Sequence, residues 1–223
     1  PNYMLNCGLG TFLMPVCALL ILWKGGEFLA TVETLFDGLE GSVPVMLSIC
    51  LCGVASMNDM TAPSVSLEGK SLWLMQSLPV TPWQVLKAKL SMQIILTAVP
   101  MVLCIVCAAA VYPFLPVQLL MMTLLVMSYV VLMALFGLFL GVKNPILTWT
   151  NEISPIKQSA PVMIALFGSF GYTILLFVGY VALPGWTLGF FGYMGGLAGL
   201  NLILCALLYL WLKKKGSARF AEL

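Results

Sequence analysis

The sequence predicts an all-α integral membrane protein with about six transmembrane helices. Hydrophobic residues make up 61% of the 223 residues and charged residues only 8%, whereas an average soluble domain is about 25% charged. The apolar residues occur in long runs, and a helix needs roughly 20 of them to cross a bilayer core. No part of the sequence alternates with the period of two that is typical of a membrane β-barrel, so helices are expected.

Six apolar runs, separated by polar segments, mark the predicted spans. In chain order they cover residues 3–23, 41–57, 90–112, 117–142, 160–183 and 187–212, and the second is the shortest. Because these runs leave no room for a soluble domain, we expect residues 1–223 to form a single transmembrane domain. The chain opens on Pro1 with neither a signal peptide nor a cytosolic lead-in, and we expect it to be part of a longer polypeptide.

The distribution of cations predicts the orientation of the spans. If the first span starts in the cytosol, nine of the ten cations lie in inner segments and Lys24 alone lies outside. The positive-inside rule then places both termini in the cytosol. In the outer connection, residues 24–41, Leu29, Val32, Phe36 and Leu39 recur at helical spacing. We expect a short helix there that lies on the outer membrane surface.

The longest inner connection, residues 58–89, contains a predicted amphipathic helix. Ser66 is its expected cap, and Pro79 ends it. Such a helix can rest on the membrane surface or dock into a groove on a soluble partner, and the residues alone leave both alternatives open. Thr81 and Pro82 then start a second helix that is expected to continue into the third span. Its Lys87 and Lys89 should extend toward lipid headgroups.

The other inner connection, residues 143–159, concentrates polar side chains that are rare elsewhere in the chain. Polar loops on a rigid scaffold are often functional. The alternative is that Trp149 is an interfacial anchor and that Lys143 and Lys157 only set the topology.

Both inner connections resemble the permease subunits of bacterial ABC exporters of the second type, in the putative ABC exporter permease family. The first signature is Ser66-Leu-Glu-Gly-Lys-Ser-Leu-Trp with Gln76-Ser-Leu-Pro-Val and Ala88-Lys89, and the second comprises Asn144-Pro145, Trp149-Thr-Asn-Glu152 and Lys157-Gln158. The resemblance implies a six-helix half of a permease, the C-terminal half, in the bacterial cytoplasmic membrane. It also implies a cytosolic coupling helix between the second and third spans, and a second permease half or a second copy as partner.

The resemblance further implies that a separate ABC ATPase drives export of an unidentified substrate by alternating access. The residues that it assigns to the ATPase-docking surface are Glu68, Gly69, Lys70, Trp73, Ser77, Leu78, Pro79, Trp149, Asn151, Glu152, Lys157 and Gln158. The alternative function is a passive channel or a secondary transporter that is not coupled to protons.

The residue inventory argues against several other functions. Histidine is absent, which removes the commonest general base and metal ligand, so neither an enzyme nor a cofactor or metal site is expected. Lys70-Ser71 lacks the upstream glycine of a P-loop. The spans after residue 90 hold no acidic or basic side chain to carry protons. With a net charge of only +2, the expected surroundings are lipid rather than nucleic acid.

Single polar or small residues in the spans have structural explanations. Cys104 and Cys107 are expected to pack as small apolar side chains. Asn201 should bond across a helix interface. The glycine pairs of the fourth and sixth spans, Gly137 with Gly141 and Gly192 with Gly196, predict close helix packing.

Overall fold

The computed structural model describes residues 8–36, 41–69, 72, 77, 79–149, 151, 153–157, 159–182 and 185–223, apart from the side chains of 157, 185 and 186. The α-helices are α1 (Leu9–Leu35), α2 (Ser42–Ala55), α3 (Thr61–Ser64), α4 (Pro82–Val111), α5 (Pro116–Lys143), α6 (Ile153–Lys157), α7 (Ala160–Val181), α8 (Gly189–Trp211) and α9 (Ser217–Ala221). Short 3-10 helices cover Ser66–Glu68 and Gly185–Leu188, and a π-helical turn at Leu212–Gly216 joins α8 to α9.

Five helices are long and apolar enough to cross a membrane, namely α1, α4, α5, α7 and α8. The described residues contain no strand. Many apolar side chains on the outer faces of the bundle are exposed, including Ile95, Phe167, Leu175 and Ile203. A soluble monomer rarely exposes so much contiguous apolar surface, whereas lipid covers it in a bilayer. The prediction of an all-helical membrane protein is therefore confirmed.

Helix α2, at the second predicted span, is much shorter than the five long helices. Its 14 residues extend about 21 Å, less than the hydrocarbon core of a bilayer. Eleven of these residues are buried, because α2 packs against α1, α5 and α7 in the centre of the bundle. The sequence suggested a short span here, and the structure shows a central helix that ends inside the bundle.

Helix α1 overturns the prediction of a separate surface helix. It runs without interruption from Leu9 to Leu35, through Lys24 and both following glycines. Each glycine weakens a helix by only about 1 kcal/mol, and the missing side chain of Gly25 lets α1 come close to Val111 of α4. Leu29 and Val32 are buried. They pack on the bundle, so the apolar spacing reflects a longer first helix and not one that lies on the membrane.

The predicted start of α4 is confirmed. Thr81 caps the helix, Pro82 is its first residue, and Gln84 completes a capping box with Thr81. The helix continues without a break to Val111, as predicted for a helix that extends into the third span.

The glycine pairs of α5 and α8 have different environments. A Cβ atom on Gly137 would lie 2.5 Å from Asp59 Oδ1, and one on Gly141 would lie 2.5 Å from the carbonyl oxygen of Ala62. These two glycines therefore allow the Asp59–Ala62 segment to pack directly against α5, which agrees with the predicted close packing at this pair. On α8, a Cβ on Gly196 would meet nothing within 4 Å, and one on Gly192 would meet only Leu188, the residue that precedes α8. Close packing is thus confirmed for α5, and α8 has no such contact within the described part of the chain.

Candidate functional site

The segment between α2 and α3 is buried inside the bundle. Asn58 is 2% exposed and Asp59 is 9% exposed, and Met60 and Thr61 are also buried. The sequence analysis placed these residues in an inner connection and did not identify their burial. The available signal was weak, because only the short second apolar run indicated that α2 is too short to cross a bilayer and that the following residues continue through the bundle along α5.

The buried polar residues of this segment bond to α4 and α5. Asn58 Nδ2 donates to Thr97 Oγ1, and Gln93 Nε2 donates to the Asn58 carbonyl at 2.9 Å. The Thr61 backbone N–H donates to Gln93 Oε1 at 2.7 Å, and Thr61 Oγ1 donates to the Ala134 carbonyl at 2.9 Å. We call Asn58, Asp59, Thr61, Gln93 and Thr97 the Asp59 cluster. It joins two long helices through a non-helical segment.

Asp59 is the acidic member of this cluster. The backbone N–H of Ala62 donates to its carboxyl group, whereas Oδ2 is buried and has no hydrogen-bond donor among the described residues. A carboxylate without a neighbouring cation is costly to bury, so the site favours the neutral acid.

The two segments that resemble the permease signatures contact each other. The backbone N–H of Ile146 donates to Ser66 Oγ at 3.0 Å, and Trp149 Nε1 donates to the Ser66 carbonyl at 2.8 Å. A Cβ on Gly69 would lie 2.5 Å from the Leu147 carbonyl oxygen, so the backbones touch there. The prediction that Ser66 caps a helix is wrong, because its hydroxyl group bonds to the second segment instead.

Glu68 pairs with a cation of the same chain. Its Oε1 lies 2.6 Å from Lys89 Nζ, with side chains 18% and 12% exposed, respectively. Lys89 Nζ also donates to the Ser64 carbonyl at 2.9 Å. The expectation that Lys89 extends toward lipid headgroups is therefore wrong. This ion pair links the first signature segment to the start of α4.

The structure describes four of the other predicted docking residues. Ser77, Pro79 and Asn151 are exposed, and Asn151 Oδ1 accepts a hydrogen bond from the Ile153 N–H. Lys157 ends α6. The predicted positions that lie outside the described residues are Lys70, Trp73, Leu78, Glu152 and Gln158. The structure thus brings Glu68 and Gly69 together with Trp149.

Polar residues of the later spans bond to one another. Tyr172 OH donates to Asn201 Oδ1 at 2.6 Å, and Asn201 Nδ2 donates to Ser128 Oγ at 3.2 Å. Tyr129 OH, between α5 and α7, bonds to the Ser169 carbonyl and to Thr173 Oγ1. The prediction that Asn201 bonds across a helix interface is confirmed.

Comparison of the chain with protein-family models, curated proteins and solved structures gives no match. Within the described ranges, no group of three or more His, Cys, Asp or Glu side chains is placed to hold a metal ion. The candidate sites are therefore the contact of the two signature segments and the Asp59 cluster.

Proposed function

We propose that the chain is the membrane-spanning permease subunit of an ATP-driven exporter in the bacterial cytoplasmic membrane. It exports a substrate by alternating access, while a separate ABC ATPase hydrolyses the ATP. The observation that carries the proposal is the contact between Ser66 and the Ile146–Trp149 loop. Two segments that are about 80 residues apart in sequence, and that resemble the two signatures of such permeases, meet at one end of the bundle.

This contact has the connections that a coupling element requires. The first segment is tied to α4 through the Glu68–Lys89 ion pair. The second segment follows directly from the end of α5 at Lys143. A displacement of the joined segments by an ATPase would therefore move two long helices at once. In this proposal Glu68 positions the docking surface, and the exposed residues Ser77, Pro79 and Asn151 offer contacts to the ATPase.

The positions of the cations support a cytosolic location for this surface. Phe220 of α9 packs in one apolar cluster with Leu86 and Leu90 of α4, which puts the lysines of the π-helical turn near the start of α4. Gly25, next to Lys24, lies instead near Val111 at the other end of α4. We infer that both termini and both signature segments are cytosolic. In this topology α2 and the buried segment after it, which continues along α5 past Gly137 and Gly141, make the sixth crossing.

The proposal can be tested by site-specific photo-crosslinking in native membranes. A crosslinking amino acid at Ser77 or Asn151, both exposed, is expected to capture a protein with a P-loop, identified by mass spectrometry. Leu115, which is 63% exposed between α4 and α5, provides the matched control position and should capture no ATPase. Recovery of no P-loop protein from either position, or equal capture from Leu115, would contradict the proposal.

A further inference from the structure

We propose that Asp59 is a proton-binding site inside the helix bundle, and that its proton is required for the packing of the Asp59–Ala62 segment on α5. This inference concerns a residue that the proposed docking function does not use. It depends on the position of Asp59, on the groups that surround it and on the glycines below it.

Asp59 lies well inside the bundle. The neighbouring Gly137 is six residues from the end of α5 at Lys143, which corresponds to about 9 Å. Thr97, which bonds to Asn58, is 15 residues beyond the start of α4 at Pro82, or about 22 Å along that helix. An ionisable side chain at such a position is expensive to keep and is commonly functional.

No charged group among the described residues faces the carboxyl group. From α4 the cluster receives Gln93 and Thr97, from α5 the backbone at Gly137, and from α1 the backbone at Gly10 beside Asn58. Along α4 the next charged residue is Lys89, which is paired with Glu68. Along α5 it is Lys143, six residues past Gly137. Asp59 therefore has no cation to stabilise a carboxylate in this arrangement.

Two acceptor oxygens in the site lack donors. Asp59 Oδ2 and Asn58 Oδ1 are both buried and receive no hydrogen bond from the described residues. A proton on the carboxyl group removes the negative charge and converts an unsatisfied acceptor into a donor. This is the simplest way to satisfy the site with the groups that the chain provides.

The glycine surface of α5 explains why the proton should affect packing. Gly137 places its backbone so close to Asp59 Oδ1 and Thr61 Oγ1 that even a Cβ would overlap them. A carboxylate held there, away from water, would favour a structure in which the segment moves off α5 and becomes hydrated. Gln93 also lines an open cavity of about 410 Å³ that includes Glu68 and Lys89, so one member of the cluster borders this cavity.

The chain contains only two aspartates, Asp37 and Asp59, which permits a direct test. We would label the full chain with [13C-carboxyl]aspartate in detergent and titrate the carbon signals by NMR, using Asp37→Asn to leave Asp59 alone. The Asp59 signal is expected to titrate at a clearly higher pH than that of an exposed aspartate, because the buried carboxyl group has no neighbouring cation and Oδ2 has no donor among the described residues. Asp59→Asn should remove this signal and confirm the assignment.

Thermal unfolding provides the second measurement. Because the pKa is raised in the folded state, the melting temperature of the wild type and of Asp37→Asn should fall between pH 5 and pH 8. The melting temperature of Asp59→Asn should change much less over this range. A midpoint below 5 would overturn the proposal. So would a midpoint that falls when sodium replaces choline at constant ionic strength, because the site would then take a metal cation.

Discussion

Replacement of Gly141 by alanine tests the packing that holds the Asp59 cluster in place. The added Cβ would lie 2.5 Å from the Ala62 carbonyl oxygen, whereas ordinary contacts begin near 3.4 Å. The backbone of α3 must therefore move by about 0.9 Å, and overpacking of this kind typically costs about 1–3 kcal/mol. Alanine returns at most about 1 kcal/mol of helix propensity. We expect a net loss of about 1 kcal/mol in the free energy of unfolding, because the midpoint of the overpacking cost is about 2 kcal/mol and helix propensity offsets up to about 1 kcal/mol.

The loss should be accompanied by local rearrangement. Thr61 adjoins Ala62 and bonds to both Gln93 and the Ala134 carbonyl, so a shift of α3 weakens these bonds as well. Equilibrium unfolding in mixed micelles, followed by tryptophan fluorescence, would measure the change in free energy.

Gly196→Ala is the matched control because it makes the same chemical change in a long helix. Its Cβ would meet nothing within 4 Å in the described structure, so its effect should lie between no change and a gain of about 1 kcal/mol. The two variants should therefore differ by about 1–2 kcal/mol. Equal stabilities would refute the inference that α3 is seated on the glycines of α5.

Two further predictions use the same unfolding measurement. Glu68→Gln leaves the Lys89 ammonium group without its anionic partner and should cost about 2 kcal/mol, somewhat below the cost for a fully buried pair. Combining it with Lys89→Met should restore most of the loss, and strictly additive losses would contradict the pairing. Asn201→Leu removes the acceptor of the Tyr172 hydroxyl group and the donor to Ser128, and should destabilise the chain by about 1 kcal/mol. Unchanged stability of Asn201→Leu would argue against this bonded contact.

Helix starts and spans could be predicted because their signals are local. Thr81, Pro82 and Gln84 lie within four consecutive residues, and together they are sufficient to predict the start of α4. The apolar run of α5 needs no information from elsewhere in the chain, and its predicted limits differ by one residue from the observed ones at each end.

Other features depend on residues far away in sequence and could not be predicted. Ser66 has the composition of a helix cap, but its hydroxyl group accepts from Ile146, 80 positions later. Lys89 looks like a headgroup lysine until Glu68 is found beside it. The burial of Asn58 and Asp59 depends on Gln93, on Thr97 and on the glycines of α5. In each case the local sequence preference is overridden by a contact with a residue that is distant in sequence and is brought close only by the fold.

The hydrogen bonds between helices are also distributed unevenly over the bundle. Helices α5, α7 and α8 are joined through Asn201 and Tyr129, and α4 is joined to α5 through the Asp59 cluster.

Helix α1 is held differently. Among the described residues its side-chain bonds to other helices are a Cys104 thiol donating to the Met14 carbonyl and an exposed Tyr112 hydroxyl donating to Glu33. A thiol is a weak donor, so separation of α1 from the bundle would break fewer buried hydrogen bonds than separation of the other four long helices. The attachment of α1 therefore depends mainly on its apolar packing against α4 and α2.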